Sequence, residues 1–142
     1  MIKEIILNDN VFKTLIKLYD SVGWVAYTDE PEDLRIALNN STYIYGLYKE
    51  DKLIGFIRGL TDFSSLNYVQ DIIVNPGFHN KGIGSQLLDF VNSKYPVRCQ
   101  ILLTDDEPGQ LEYYAKNGYK NTKDLVDVPL NCFVKFRGME LS

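Results

Sequence analysis

Hydrophobic positions along the chain change period several times, and each change marks an element. Lys3–Leu7 is a short apolar run with strand character. Val11, Leu15, Leu18 and Val22 recur at helical spacing behind Asp9, a capping residue type, so a helix is predicted from Asp9 to about Tyr19. Pro31-Glu32-Asp33 has the make-up of a helix first turn, with Leu34, Ile36, Ala37 and Leu38 following. Thr42–Tyr48 and Lys52–Leu60 are β-branched and aromatic, and the polar triplet Lys49-Glu50-Asp51 between them predicts a hairpin. Leu66–Val74 is the next predicted strand. Its end, Val69–Val74, is mostly apolar, as in a strand covered on both faces.

After Asn75-Pro76-Gly77 the period becomes helical. Ile83, Leu87, Phe90 and Val91 form one stripe, which predicts an amphipathic helix from about Gly82 to Tyr95. Arg98–Thr104 reads as a buried strand. Pro108 opens a short helix that stops near Asn117-Gly118, where glycine suits a left-handed end. Tyr119 returns the chain to extended structure, and Asn131–Phe136 is the last predicted strand. The order β-α-α-β-β-β-α-β-α-β-β pairs an antiparallel run with a β-α-β crossover. It predicts an α/β chain of the α+β kind, with a mixed sheet and helices on its faces.

A length of 142 residues predicts a single domain, 1–142. Fifteen basic against nineteen acidic residues leave a net charge of −4, which argues against a nucleic-acid surface. Cys99 and Cys132 lie far apart outside any CxxC or Cys/His cluster, and His79 is the lone histidine, so neither a zinc site nor a redox pair is expected. No apolar run approaches the roughly 18 residues of a membrane span. Met1-Ile2-Lys3-Glu4 lacks an apolar leader region. The expectation is a cytoplasmic domain that binds neither nucleic acid nor membrane.

The segment Asp71-Ile-Ile-Val-Asn-Pro-Gly-Phe-His-Asn-Lys-Gly-Ile-Gly-Ser85 carries the chemistry. A strand runs into a glycine-containing loop that opens a helix. That order points unpaired N–H groups and the positive helix end at one spot, a phosphate or pyrophosphate site. A Walker A loop fails because Ile83 stands where the lysine belongs. A dinucleotide fingerprint fails because Leu87 takes its third glycine position. A β-α turn with incidental glycines is the bland alternative.

The segment resembles the GCN5-related N-acetyltransferase (GNAT) superfamily. His79-Asn80-Lys81-Gly82-Ile83-Gly84 matches the signature Gln/Arg-x-x-Gly-x-Gly/Ala at both glycines and departs from it at His79. About 30 residues on, Tyr114-Ala-Lys-Asn-Gly118-Tyr119 matches a second signature, Tyr-x-x-x-Gly-Phe/Tyr. The resemblance implies a mostly antiparallel central sheet with a splayed parallel pair, flanked by helices on both faces. It also implies acetyl-CoA as the acyl donor and no metal. Ile72, Ile73 and Val74 match the strand that pairs with the pantetheine arm, and the Ile72 amide would face the thioester carbonyl. His79, Asn80, Lys81, Gly82, Ile83, Gly84 and Ser85 match the pyrophosphate loop, with a solvated loop histidine as the plainer reading of His79. Glu107 stands where many members place a CoA-contacting asparagine, and Leu102 where some carry an acid.

Acetyl transfer to an amine requires loss of an amine proton, stabilisation of an oxyanion and protonation of the departing thiolate. Tyr114 matches the family's proton donor, with Tyr113 beside it as a packing residue. Asp71 is the nearest carboxylate to the acceptor strand, and its readings are general base or satisfied structural aspartate. Tyr68 and Gln70 fall at alternate positions of that strand, facing the acceptor. Trp24 and Tyr27, with Tyr43 and Tyr45, belong to the half that builds the acceptor pocket in relatives, or to plain core packing. The resemblance extends to a bacterial subgroup of small acetyltransferases similar to plant plastid arylalkylamine acetyltransferases. With no cysteine in either motif, the implied route is a direct ternary complex. The expected acceptor is a small primary amine, aromatic or polyamine-like. The alternatives are a peptide N-terminal acetyltransferase and a CoA-binding sensor with weak turnover. Relatives are often homodimers.

Overall fold

In the computed structural model, which describes residues 1–142, one five-stranded sheet organises Met1–Leu103. Its strands, β1 (Ile2–Glu4), β2 (Tyr43–Lys49), β3 (Lys52–Thr61), β4 (Leu66–Val74) and β5 (Cys99–Leu102), stand side by side in chain order. The first four pair antiparallel and β4 pairs β5 in parallel, giving the mixed sheet that the pattern predicts.

Helix α1 (Asp9–Ser21) is capped by Asn8, whose side chain accepts from the Val11 amide at 2.9 Å. Asp9, expected as the cap, is instead the first helical residue, where its charge suits the helix dipole. Gly23, at φ 78, turns the chain beyond α1 into a short helix, α2 (Val25–Thr28). Four residues are too few to show a period, so α2 is not legible in the hydrophobic pattern. Helix α3 (Pro31–Asn39) begins at Pro31 as predicted.

Neighbouring residues on a strand face opposite ways, and β3 uses both faces. Phe56 packs with Phe12, Leu15, Leu18 and Tyr19 of α1 and Leu34 and Leu38 of α3 in one apolar cluster. Gly55 faces α4 (Ile83–Lys94): a Cβ there would stand 3.1 Å from Ile83 Cγ2 and 3.1 Å from the Ile73 carbonyl oxygen. The missing side chain lets α4 sit against the sheet, with Leu87, Leu88 and Val91 fully buried.

The strands predicted after β4 need correction. Arg98–Thr104 contracts to β5, whose residues alternate between exposed and half-buried. Neither the chain from Tyr119 nor residues 131–136 forms a strand: Phe133 is 91% exposed, and Val134 and Phe136 are exposed too. Strand propensity reports fit to a pleated neighbour, and without a pairing edge it does not make a strand. The second compact unit, Thr104–Ser142, contains α5 (Pro108–Lys116) and a 3₁₀ turn at Thr122–Asp124. Gly118, at φ 89, follows the α5 C-cap as predicted.

Candidate functional site

The two halves of β4 differ in what lies beside them. Leu66–Val69 pair with β5 in register from Leu66↔Cys99 to Val69↔Leu102, and there the parallel ladder ends. Gln70–Val74 have only β3 as a neighbour. The Asn75 amide donates to the Ile54 carbonyl at 2.8 Å, which fixes the phase of the antiparallel ladder. Counting back by alternation, Ile73 and Asp71 bond to β3, whereas Ile72 and Val74 aim their N–H and C=O groups away from it, into the open edge. His79 comes round from the loop, and its Nε2 lies 2.8 Å from the Val74 carbonyl oxygen. The histidine is exposed yet anchored to this edge, rather than merely solvated.

Beyond Val74 a 3₁₀ turn (Pro76–Phe78), held by the Asn75 side chain accepting from the Gly77 amide, leads to the loop. Asn80 (φ 63) and Gly82 (φ 75) are both left-handed, and Gly82 is the N-cap of α4 with no side-chain cap. The amides of Ile83, Gly84 and Ser85 therefore begin α4 without an intrahelical acceptor, at the positive end of its dipole. Lys49, Lys52 and Lys81 bring their Nζ atoms to 5.7, 5.9 and 5.5 Å from the centre of the Phe78 ring. Three cations thus collect beside this loop in a chain of net negative charge. Sequence reasoning found only Lys81, because the other two arrive from the β2–β3 hairpin.

A register shift lies between Arg58↔Asp71 and Gly59↔Val69, which leaves Gln70 as the extra residue of a β-bulge. Consecutive strand residues normally face opposite ways, but a bulge brings two to one side. Gln70 and Asp71 accordingly both reach the Tyr27 hydroxyl: Gln70 Nε2 donates to it at 3.2 Å, and it donates to Asp71 Oδ1 at 3.1 Å. Asp71 is 3% exposed and takes two further bonds on Oδ2, from the Tyr19 hydroxyl at 2.7 Å and Arg58 Nε at 2.6 Å. Arg58 Nη1 extends the network to Ser41 Oγ at 3.3 Å. Burial and then the Asp71 charge push the Tyr19 and Tyr27 hydroxyls up from their ordinary range. For Arg58, burial works against the charge but is outweighed by Asp71 and Tyr19, so its guanidinium is held more firmly protonated than usual.

Of the expected acceptor-side residues, Trp24, Tyr27, Gln70 and Asp71 come together. Tyr19 joins Trp24 and Tyr27 through ring contacts at 6.2 and 4.8 Å. Tyr68 is half-buried on the doubly paired half of β4 and lies in register with Ile101. Tyr43 and Tyr45 are core residues: the Tyr43 hydroxyl donates to buried Asn67 at 2.9 Å, and the Tyr45 hydroxyl lies 2.9 Å from that of Tyr95. Tyr19 and Arg58 are the residues sequence reasoning missed. A signal for Arg58 existed, since a lone charge inside the apolar run Leu53–Leu60 needs a buried partner.

In the second unit, Glu107 is the N-cap of α5 and makes no side-chain cap bond. Tyr114 is half-buried, edge-on to Tyr113 at 5.0 Å and to Tyr119 at 5.9 Å. Burial foremost, then those two rings, raises its hydroxyl above the ordinary tyrosine value, so it stays protonated across the neutral range.

Comparison with known proteins agrees with this architecture. The acetyltransferase (GNAT) domain model matches residues 40–121, more than half of the chain. The uncharacterized N-acetyltransferase ycf52 of Gracilaria tenuistipitata var. liui is 37% identical over 119 residues, 79% of this chain and 63% of that protein. Among solved structures, a GNAT-family acetyltransferase from Streptococcus pneumoniae TIGR4 has a TM-score of 0.73 at 27% identity, covering 95% of this chain and 96% of its own. An aminoglycoside 6'-N-acetyltransferase complexed with coenzyme A shares the fold at a TM-score of 0.59 and 18% identity, covering 68% of this chain and 55% of that one. With a strand that opens at one edge, a glycine loop, an uncapped helix start and a family model spanning all three, the chain belongs to the GNAT acetyltransferases and is an N-acetyltransferase.

Proposed function

We propose that this protein transfers an acetyl group from acetyl-CoA to the primary amine of a small molecule, directly between the two bound substrates. The observation that carries the reading is the continuous stretch Ile72–Ser85, where an unpaired strand edge runs into an uncapped helix start. The donor and acceptor groups of Ile72 and the N–H of Val74 can pair with an amide-bearing arm as another strand would, Ile73 lying between them. His79–Ser85, with the lysines around Phe78, suit a pyrophosphate through backbone N–H groups, the helix dipole and local positive charge. Acetyl-CoA supplies an activated acyl group. Family members use it, and one structural neighbour is complexed with coenzyme A. Glu107, at the start of α5, completes the proposed cofactor-binding set.

In this reading the Ile72 amide supports the charge that develops on the acyl oxygen, and Tyr114 gives its proton to the departing sulfur. Both oxygens of Asp71 are occupied, so we assign it the task of orienting Tyr27, which in turn accepts from Gln70, rather than accepting the amine proton. Trp24, Tyr27, Tyr68 and Gln70 are the proposed acceptor-side residues. The aromatic faces suit an aromatic or polyamine-like cation. No helix of the chain is long and apolar enough to cross a membrane, which is compatible with a cytoplasmic setting.

Calorimetry with acetyl-CoA, followed by mass spectrometry of a primary-amine panel, tests the proposal. Binding together with an acetylated product supports it; binding without turnover on any amine or peptide would identify a CoA sensor instead. Tyr114→Phe is expected to lower kcat about a hundredfold, and an unchanged kcat removes Tyr114 from the mechanism.

A further inference from the structure

Resting on the transferase reading above, the geometry points to Tyr27 as the residue that selects a protonated amine over a neutral or anionic acceptor, by offering its hydroxyl oxygen as a fixed hydrogen-bond acceptor. A tyrosine hydroxyl has one proton to give and can accept as well, so which it shows a ligand is normally open. Here both neighbours settle it. A carboxylate paired with a guanidinium accepts only, so the hydroxyl must direct its proton toward Asp71 Oδ1, 3.1 Å away. Gln70 Nε2 brings protons of its own at 3.2 Å, so the oxygen already accepts there. What remains toward a newcomer is acceptor capacity alone, which an ammonium N–H satisfies most strongly because its bond is charge-assisted, a neutral hydroxyl only weakly, and a carboxylate or carbonyl not at all.

The arrangement is held rigidly. Asp71 cannot turn away, because Tyr19 and Arg58 occupy its other oxygen. The Arg58 charge is committed to Asp71 at 2.6 Å, so the pair presents no net cation to repel an ammonium group. The bulge at Gln70 is what places Gln70 and Asp71 on one side, and a regular strand would not allow both contacts at once. Tyr27 is itself half-buried, not sealed, and Trp24 stands 6.3 Å from its ring. Burial first, then the Asp71 charge, keeps the hydroxyl protonated, so the locked orientation holds through the neutral range.

Trp24 is the only tryptophan of the chain, so its fluorescence reports on this spot alone. The intact protein is titrated with 2-phenylethylamine and spermidine as cationic probes, and with 2-phenylethanol as the neutral isostere. Wild type is expected to bind 2-phenylethylamine about tenfold or more tightly than the alcohol, the scale of a hydrogen bond to a charged group. Tyr27→Phe keeps the ring and should erase that preference, leaving alcohol binding within twofold. In turnover the same variant should raise KM for the amine about tenfold, change kcat less than threefold, and leave KM for acetyl-CoA alone. A preference for the amine that persists in Tyr27→Phe overturns the assignment, as does equal weakening of amine and alcohol. So does failure of both cationic probes to bind wild type. Loss of the preference without any acetyl transfer by wild type would instead sustain amine recognition and sink the transferase reading.

Discussion

The two halves of β4 are built around different buried polar groups. In the half paired with β5, Asn67 is fully buried, accepts from the Tyr43 hydroxyl at 2.9 Å and donates to Gln100 at 2.8 Å. Gln100 passes the chain on to the Tyr95 carbonyl at 2.9 Å. That network is neutral and runs from buried Asn67 to half-buried Gln100 and Tyr95. In the half open at one edge, Asp71 is buried as a charge, and its partners lead outward through Tyr27 to half-exposed positions. Where the sheet is closed, polarity serves to pin the parallel pair. Where it opens, an ion pair is buried instead, and its bonds run on to half-buried Tyr27 and Gln70.

That contrast predicts unequal sensitivity. Asp71→Ala leaves Arg58 charged and nearly sealed from water, so urea unfolding should show a loss of about 3–5 kcal/mol. The double variant Asp71→Leu with Arg58→Met removes both charges, and it should be less destabilised than Asp71→Ala while losing amine turnover. A double variant no better than the single would mean that the ion pair serves the fold itself.

The neutral network should yield less. Asn67→Ala removes bonds to Tyr43 and Gln100 without stranding a charge, and about 1–3 kcal/mol is expected. Because Tyr43 passes over Gly59, where an added Cβ would meet the Tyr68 carbonyl oxygen at 2.6 Å, the region has little room to repack. KM for acetyl-CoA and for the amine should both stay near wild type in this variant. A large change in either would contradict the division of labour along β4.

Most of the frame was legible in the sequence, and the site only in part. The 3.6-residue stripe Ile83–Val91 located α4 because one face of it is buried. Gly82 marked the loop because only a residue free at positive φ suits that cap. The bulge was not legible. It arises from how β3 and β4 settle against each other at Arg58–Gly59, and no local composition at Gln70 announces it. Strict alternation therefore put Gln70 and Asp71 on opposite faces and hid their shared bond to Tyr27. Residues 131–136 failed in the opposite sense, with strong strand propensity and no strand alongside.

The smallest expected effect concerns the turn that feeds β4 and the response of its carboxylate to acid. Asp62 is exposed, and its side chain accepts from the Ser65 hydroxyl and from the amides of Ser64, Ser65 and Leu66, the last three at 2.9, 2.7 and 3.1 Å. The Ser65 hydroxyl first, then those amides, holds its carboxyl well below the usual range. A folded pKa below the unfolded value of about 4 means the unfolded chain takes up the proton first as pH falls. The stability that Asp62 contributes is therefore present above about pH 4 and is lost progressively below it. Urea midpoints measured from pH 6 down to pH 2 should fall less steeply for Asp62→Asn than for wild type, with the two curves converging at the acid end. Parallel curves would assign the acid sensitivity to other groups and leave the turn as a purely geometric lead into the strand.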